Sequence, residues 1–201
     1  MVEALANTFI YLMGVAGAGK LTVAKAIAAK TGARVVDNHL INNPVFSVVR
    51  QDGVTPLPRA VWDRVFAIRV AVLETIATLS PPEWSFVFTH EAYGEAYDIA
   101  VYQMTREAAE VRKAQFLPVR LDCDPDEIAR RVMNPERRIL MKSANAAKSR
   151  ARAAANATYD PGTRDVLTLN NTNLAPEAAA DAIIRAARAL GTARAEAGAA
   201  R

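Results

Sequence analysis

The chain has 201 residues with 25 basic and 21 acidic side chains, a formal charge of +4. That charge suits a phosphate-bearing ligand and is too weak to argue for a nucleic-acid interface, while the length fits one well-cored domain with small insertions. A lone cysteine, Cys123, excludes an internal disulfide framework or a cysteine-rich metal centre. No run reaches the roughly 18 uncharged apolar residues of a membrane helix, and the opening MVEALANTF lacks the basic start and apolar core of a secretion signal. The expectation is a reduced, cytoplasmic setting.

TFIYLM, residues 8–13, is a short apolar run that predicts a buried strand. Glycines follow at once, then Leu21, Val23, Ala24, Ile27 and Ala28 recur at helical spacing up to Gly32. ARVVDN (33–38) predicts a second strand. In NNPVFSVVRQDG, Asn43 is the expected N-cap, Pro44 the first helical residue and Gly53 the end. A long amphipathic helix follows from Val61 to Leu79, stopped by SPPE. WSFVFTHEA (84–92) is the third strand, 95–114 a helix, and QFLPVRLDCD (115–124) the fourth strand. Asp124 with Pro125 begins a helix through Met133, and the basic segment 134–156 is expected to continue as helix. RDVLTLNN is the fifth strand, LAPEAAADAIIRAARAL the closing helix, and residues 191–201 a frayed tail.

Strands and helices thus alternate five times, and most strands are apolar without alternation. That pattern predicts a parallel sheet covered on both faces, with ligands bound beyond the carboxyl ends of its strands.

The first such end carries Gly14, Gly19 and Lys20 at phosphate-loop (Walker A) spacing, but Leu21 stands where a magnesium-binding hydroxyl is usual and Thr22 comes one place late. A strand, a glycine turn and a helix N-terminus place backbone N–H groups around an anion. A dinucleotide fingerprint does not fit. Counted from Gly17 its third glycine falls on Thr22, and counted from Gly14 its second falls on Ala16. Lys20 suits the outer phosphates of a triphosphate.

GVAGAGKLT resembles the loop of adenylate kinase and related small-molecule kinases, among them shikimate and gluconate kinases, where G-x-x-G-x-G-K-G-T is common. There too the residue after the lysine lacks a hydroxyl. The resemblance implies a three-layer α/β P-loop fold with a five-stranded parallel sheet of order 2-3-1-4-5. It implies one domain over residues 1–190, with an acceptor-binding helical region at 38–82 and a lid at 134–156. It further implies an enzyme, an ATP-dependent transferase that moves the γ-phosphoryl to a hydroxyl or phosphate of a small-molecule acceptor. ATP would lie on Gly14, Ala16, Gly17, Ala18, Gly19, Lys20, Leu21 and Thr22, with Mg2+ held largely through water.

Asp37, at the second strand's end, is by itself a turn or cap residue. By the resemblance it grips or deprotonates the acceptor hydroxyl. The chain's two histidines, His39 and His90, both follow predicted strands on the same rim and are candidate substrate contacts, with Glu91 beside them. Glu91 or Thr89 could orient magnesium through water. A protein metal site from His39, His90, Asp37 and Glu91 lacks tight ligand spacing, so none is expected. Arg69 could anchor an anionic acceptor, as could Arg59 and Arg64.

Between Arg137 and Arg152 there is no acidic residue. A solvated helix face explains such a run; the resemblance makes it a lid whose Arg137, Arg138 and Lys142 close on the transferring phosphoryl. Lys20, Asp37, Arg137 and Arg138 are therefore the expected catalytic set. Arg130 or Arg131 is expected at the nucleotide, with Asn173 of NNTNLAP near its base. The glycine-rich turn of shikimate kinase after the third strand is replaced by THEAYGEAYD, so the acceptor is not named. A regulatory or RNA-associated nucleotide-binding protein without kinase activity is the alternative, disfavoured by the absence of aromatic residues from the basic run. Monomer and homodimer both stay open.

Overall fold

The computed structural model describes residues 4–163 and 165–199, apart from the side chains of Arg138 and residues 193–199. Five strands form one parallel sheet, β1 (Thr8–Met13), β2 (Arg34–Val36), β3 (Phe86–His90), β4 (Gln115–Asp122) and β5 (Leu167–Asn170), in the order β2-β3-β1-β4-β5. Every residue of β1 is buried, as a central strand covered on both faces requires. Its side chains alternate between two cores. Ile10 and Leu12 join Val23, Ile27, Val119 and Ile183 beneath α1 (Lys20–Thr31) and α8 (Pro176–Ala199). Phe9, Tyr11 and Met13 join Leu73, Phe88 and Tyr102 beneath α3 (Arg59–Thr78) and α4 (Ala96–Val111).

The expected fold class, a five-stranded parallel α/β sheet of order 2-3-1-4-5 with helices on both faces, is the one observed. Three local expectations differ. The helix expected to begin at Asn43 is α2 (Asn38–Phe46), which starts earlier because the Asp37 carboxylate accepts the His39 amide at its N-cap. Pro44 lies within its last turn. The basic segment is not one helix: α5 (Pro125–Val132) is followed by a single turn, α6 (Glu136–Ile139), and then α7 (Ala146–Ala154). Left-handed Met141, at φ +53°, turns the chain between them, and the Asn145 side chain caps α7 by accepting the Lys148 amide. Finally, α8 runs on past Leu190 to Ala199; residues 200–201 of the expected tail and Arg164 of the expected fifth strand lie outside the described residues. Among the described residues no helix is long and apolar enough to cross a membrane.

The parallel register brings the carboxyl ends of β1, β3 and β4 level, with Met13 opposite His90 and Arg120. The loops that follow these ends share one rim with Asp37, which follows β2.

Candidate active site

The loop between β1 and α1 is shaped by close approach and left-handed backbone. A Cβ on Gly14 would stand 2.8 Å from the Leu121 carbonyl oxygen. Gly19, the N-cap of α1, has φ +89°, and a Cβ there would lie 2.6 Å from Asn171 Nδ2. Ala16 and Ala18 are buried, Gly17 and Leu21 half-buried and Thr22 exposed. No acidic residue occupies the first turn of α1, so the amide end of the helix keeps its positive character.

Lys20 folds back along this loop, its Nζ donating to the carbonyls of Gly14 (2.8 Å) and Val15 (2.9 Å). Burial strips water from the ammonium and pushes its pKa down to about 8, against the opposing pull of Glu91.

Two residues brace the loop from behind. Asn171, just past β5, donates from Nδ2 to the Ala18 carbonyl at 2.7 Å. Arg131 donates to the carbonyls of Asn171 (3.1 Å) and Thr172 (2.8 Å) while its Nε holds Glu127 at 2.6 Å. Arg130, the other arginine expected at the nucleotide, is exposed and pairs with Glu127 at 2.7 Å. The sequence placed Asn171 at the end of the fifth strand without a role of its own; the signal for one is an asparagine at a parallel strand's carboxyl end, facing the glycine loop. Next to it, an open cavity of about 660 Å³ is lined by Asp122, Cys123, Asp124, Asn170, Thr172, Asn173 and Leu174. Asn173, expected near the nucleotide's base, lies on the wall of this cavity.

On the other flank, Asp37 is buried at 8% exposure. Its Oδ1 accepts the Thr89 hydroxyl at 2.6 Å and its Oδ2 the His39 amide at 3.3 Å, with Lys142 Nζ at 3.8 Å. Thr89 in turn accepts the Asn38 amide at 3.0 Å, so β3 and the start of α2 fix the carboxylate together. The His39 ring lies 3.2 Å from Asn43 Oδ1, and burial lowers its pKa below the usual histidine value against the opposing pull of Asp37. Glu91 Oε1 accepts the Tyr93 hydroxyl at 2.5 Å and faces Arg152 at 3.5 Å. Arg152 also stacks over the Tyr93 ring, 3.6 Å from its centroid.

Lys20, Asp37, Glu91, Arg137 and Lys142 sit close enough for each of the other four to act on the Lys20 charge. Burial lowers the pKa of Lys142 despite Asp37. Arg137 donates from Nε to the Ser143 carbonyl at 2.9 Å, which fixes the turn carrying Lys142. Arg138 lies in α6, with its side chain outside the described residues. Arg69 is 6% exposed and donates to Asn38 (2.5 Å) and Asn42 (3.4 Å), while its Nε has no hydrogen-bond partner. Among the described residues no carboxylate lies within ion-pair distance of it.

His90 is not brought into this cluster. Its ring is 2% exposed, with Nδ1 2.6 Å from the Tyr11 hydroxyl and Nε2 3.6 Å from Asp98. Burial, with Arg69 and Lys20 nearby, holds it well below the usual histidine pKa. It is a neutral core residue under the rim. Among the described residues no group of three or more His, Cys, Asp or Glu side chains could hold a metal by itself.

No protein-family model and no curated protein matches the chain. Solved structures do share its fold. A sugar kinase from Janibacter sp. HTCC2649 aligns at TM-score 0.59 with 17% identity, over 89% of this chain and 93% of that one. A gluconokinase from Sinorhizobium meliloti 1021 aligns at 0.57 with 19% identity, over 94% of each. An APS kinase from Mycobacterium tuberculosis aligns at 0.58 with 14% identity, over 90% and 97%. The chain therefore has the fold of the P-loop small-molecule kinases.

Proposed function

We propose that the chain is an ATP-dependent phosphotransferase that moves the γ-phosphoryl of ATP to a hydroxyl or phosphate of a small-molecule acceptor. One observation carries the reading: the phosphate-loop lysine lies within electrostatic reach of two carboxylates, Asp37 and Glu91, and of two cations of the 134–156 segment, Arg137 and Lys142, the second of which stands 3.8 Å from Asp37. A hydrolytic switch needs a positioned water. A phosphotransferase needs cations on the phosphates and an acceptor group held in line. The fold neighbours named above are kinases, and the mycobacterial one was solved with AMPPNP and APS bound, which supports the same use of this rim.

In this reading the backbone of Gly14–Thr22 cradles the phosphates, and Lys20 leaves its two loop carbonyls to contact the outer ones. The cavity at Asp122–Asp124 and Asn170–Leu174 takes the base, with Asn173 on its wall. Asp37, oriented by Thr89, accepts the acceptor hydroxyl's hydrogen and takes its proton as the bond to phosphorus forms. His39 and Arg69 line the acceptor side, Arg69 offering a cation to an anionic substituent. Arg137 and Lys142, with Arg138 on the same turn, stabilise charge on the transferring group. Magnesium, when bound, neutralises phosphate charge. With Leu21 after the lysine and two carboxylates near the loop, Asp37 held by Thr89 and Glu91 by Tyr93, the donor set fits an ion held mostly by water and phosphate oxygens.

The test is phosphoryl transfer from ATP across a panel of hydroxylated and phosphorylated metabolites. Wild type should label at least one acceptor, and Asp37→Asn should lower kcat on it by about 10²–10⁴-fold with ATP affinity retained. A wild type that binds ATP, labels nothing and binds RNA would overturn the enzyme reading in favour of a regulatory or RNA-associated one.

A further inference from the structure

The turn at residues 51–53 and the turn at residues 141–144 lie ninety positions apart in sequence, yet hold each other at several points. Gln51 Nε2 donates to the Met141 carbonyl at 3.2 Å. The Ala144 amide donates to the Gly53 carbonyl at 3.0 Å. Gly53 is left-handed at φ +77°, and a Cβ there would stand 2.8 Å from the Lys142 carbonyl oxygen and 3.3 Å from the Ala144 nitrogen. Met141 packs against the small apolar cluster of Ile41, Phe46 and Val65 between α2 and α3.

The first turn is formed by its own residues. Asp52 accepts the amides of Val54 (2.8 Å) and Thr55 (2.7 Å) and the Thr55 hydroxyl (2.7 Å). It is therefore a fixed surface onto which the second turn fits. Between the two backbone contacts lies Lys142, whose side chain is 13% exposed and whose Nζ stands 3.8 Å from Asp37.

We propose that residues 51–53 are a docking cleat for the lid, with Gln51 and Gly53 as positioning residues that place Lys142 at Asp37. The proposal rests on the phosphotransfer reading for its catalytic consequence, though not for the docking itself. Lid closure is then registered against the acceptor-binding face as well as the phosphate loop. A misplaced acceptor region carries the lid cation out of position, and displacements of about 1 Å in such groups can cost on the order of 10²-fold in rate.

The experiment compares full-length wild type with Gly53→Ala, Gln51→Ala and Gly162→Ala. Gly162 has φ +68° and nothing within 4 Å of an added Cβ, so its variant carries the backbone strain without a lid contact. Amide hydrogen exchange over residues 141–144 should rise about tenfold in Gly53→Ala and by a smaller factor in Gln51→Ala, and stay at the wild-type rate in Gly162→Ala. On an identified acceptor, kcat should fall about tenfold in Gly53→Ala while the Kd for ATP stays within about twofold. Exchange at the wild-type rate in both Gly53→Ala and Gln51→Ala overturns the cleat, as does equal acceleration in Gly162→Ala. Should Gly53→Ala fail to fold, Gln51→Ala removes a side-chain bond alone and decides the point. If wild type transfers no phosphoryl group, the kinase reading falls, and the exchange contrast still decides whether the lid docks here.

Discussion

At the amino ends of the strands, Arg112 donates to the carbonyls of Ile76, Ser80, Pro81, Pro82 and Trp84 at 2.7–3.4 Å. Beside it, Ser85 donates its hydroxyl to the Leu5 carbonyl at 2.7 Å, and Asn7 donates to the Arg112 carbonyl at 3.0 Å. At the carboxyl ends, Arg69 meets the amide oxygens of Asn38 and Asn42. Nε is unpartnered in both arginines, so the contrast rests on the terminal nitrogens. One end of the sheet saturates its cation with backbone and becomes a rigid base. The other gathers Lys20, Arg137 and Lys142 with Asp37 and Glu91 and holds Arg69 on amide oxygens alone, an excess of positive charge that an anionic ligand would complete.

The comparison breaks most sharply at the lysine. Lys20→Ala should lower phosphoryl transfer by about 10³-fold with the far-ultraviolet circular dichroism of the wild type. If instead the variant unfolds, the carboxyl rim is as structural as the amino end and the contrast fails.

The pH profile comes next in size. Lys20 needs its proton to hold phosphate, and burial leaves it a pKa of about 8. The kcat/KM for ATP should therefore be level below that value and fall about tenfold per pH unit above it. Lys20→Arg should push that limb upward beyond the measurable range, because a guanidinium keeps its charge. A flat wild-type profile to pH 10 would show that the lysine is not the group that titrates.

Arg112→Ala tests the other end. It strands several carbonyls and should cost about 1–3 kcal/mol in urea unfolding, while the folded fraction keeps wild-type kcat. The smallest effect is expected for Leu21→Ser, which restores the usual hydroxyl after the lysine. Phosphoryl transfer should stay within about twofold, as a water-held magnesium predicts. A large gain would mark the loop as impaired.

The repeating features of this fold were legible because they are repeated in the chain. Five apolar runs, each followed by a helical period, determine a parallel sheet, and Gly14, Gly19 and Lys20 mark the loop that follows the first. What was not legible depends on choices between equivalent local signals. Asp37 and Asn43 are both good N-caps, and only the Thr89 hydroxyl, from a strand about fifty residues away, holds the first in capping position. The third strand is apolar on both faces up to Phe88 and gives no alternation to say which way its last residue turns, so His90 read as a rim contact although it points into the core. Arg130 and Arg131 are adjacent on one helix end, and only the position of the Asn171–Thr172 carbonyls selects the second for the loop. The break between α6 and α7 was hidden because alanine and basic residues favour helix on both sides of it.

Asn171 ties its side chain to the Ala18 carbonyl across 153 positions of sequence. A motif that reads as local, complete within a dozen residues, is thus finished by a residue made 153 positions later. Ordering that loop waits on the closure of a long stretch of polypeptide, and contacts of such separation are slow to form. During synthesis the chain should lack nucleotide affinity until Asn171 has emerged. In refolding, protection by ATP should arrive with the final phase and not with the first strand and helix; its arrival in the earliest phase would show that the loop sets without its distant brace.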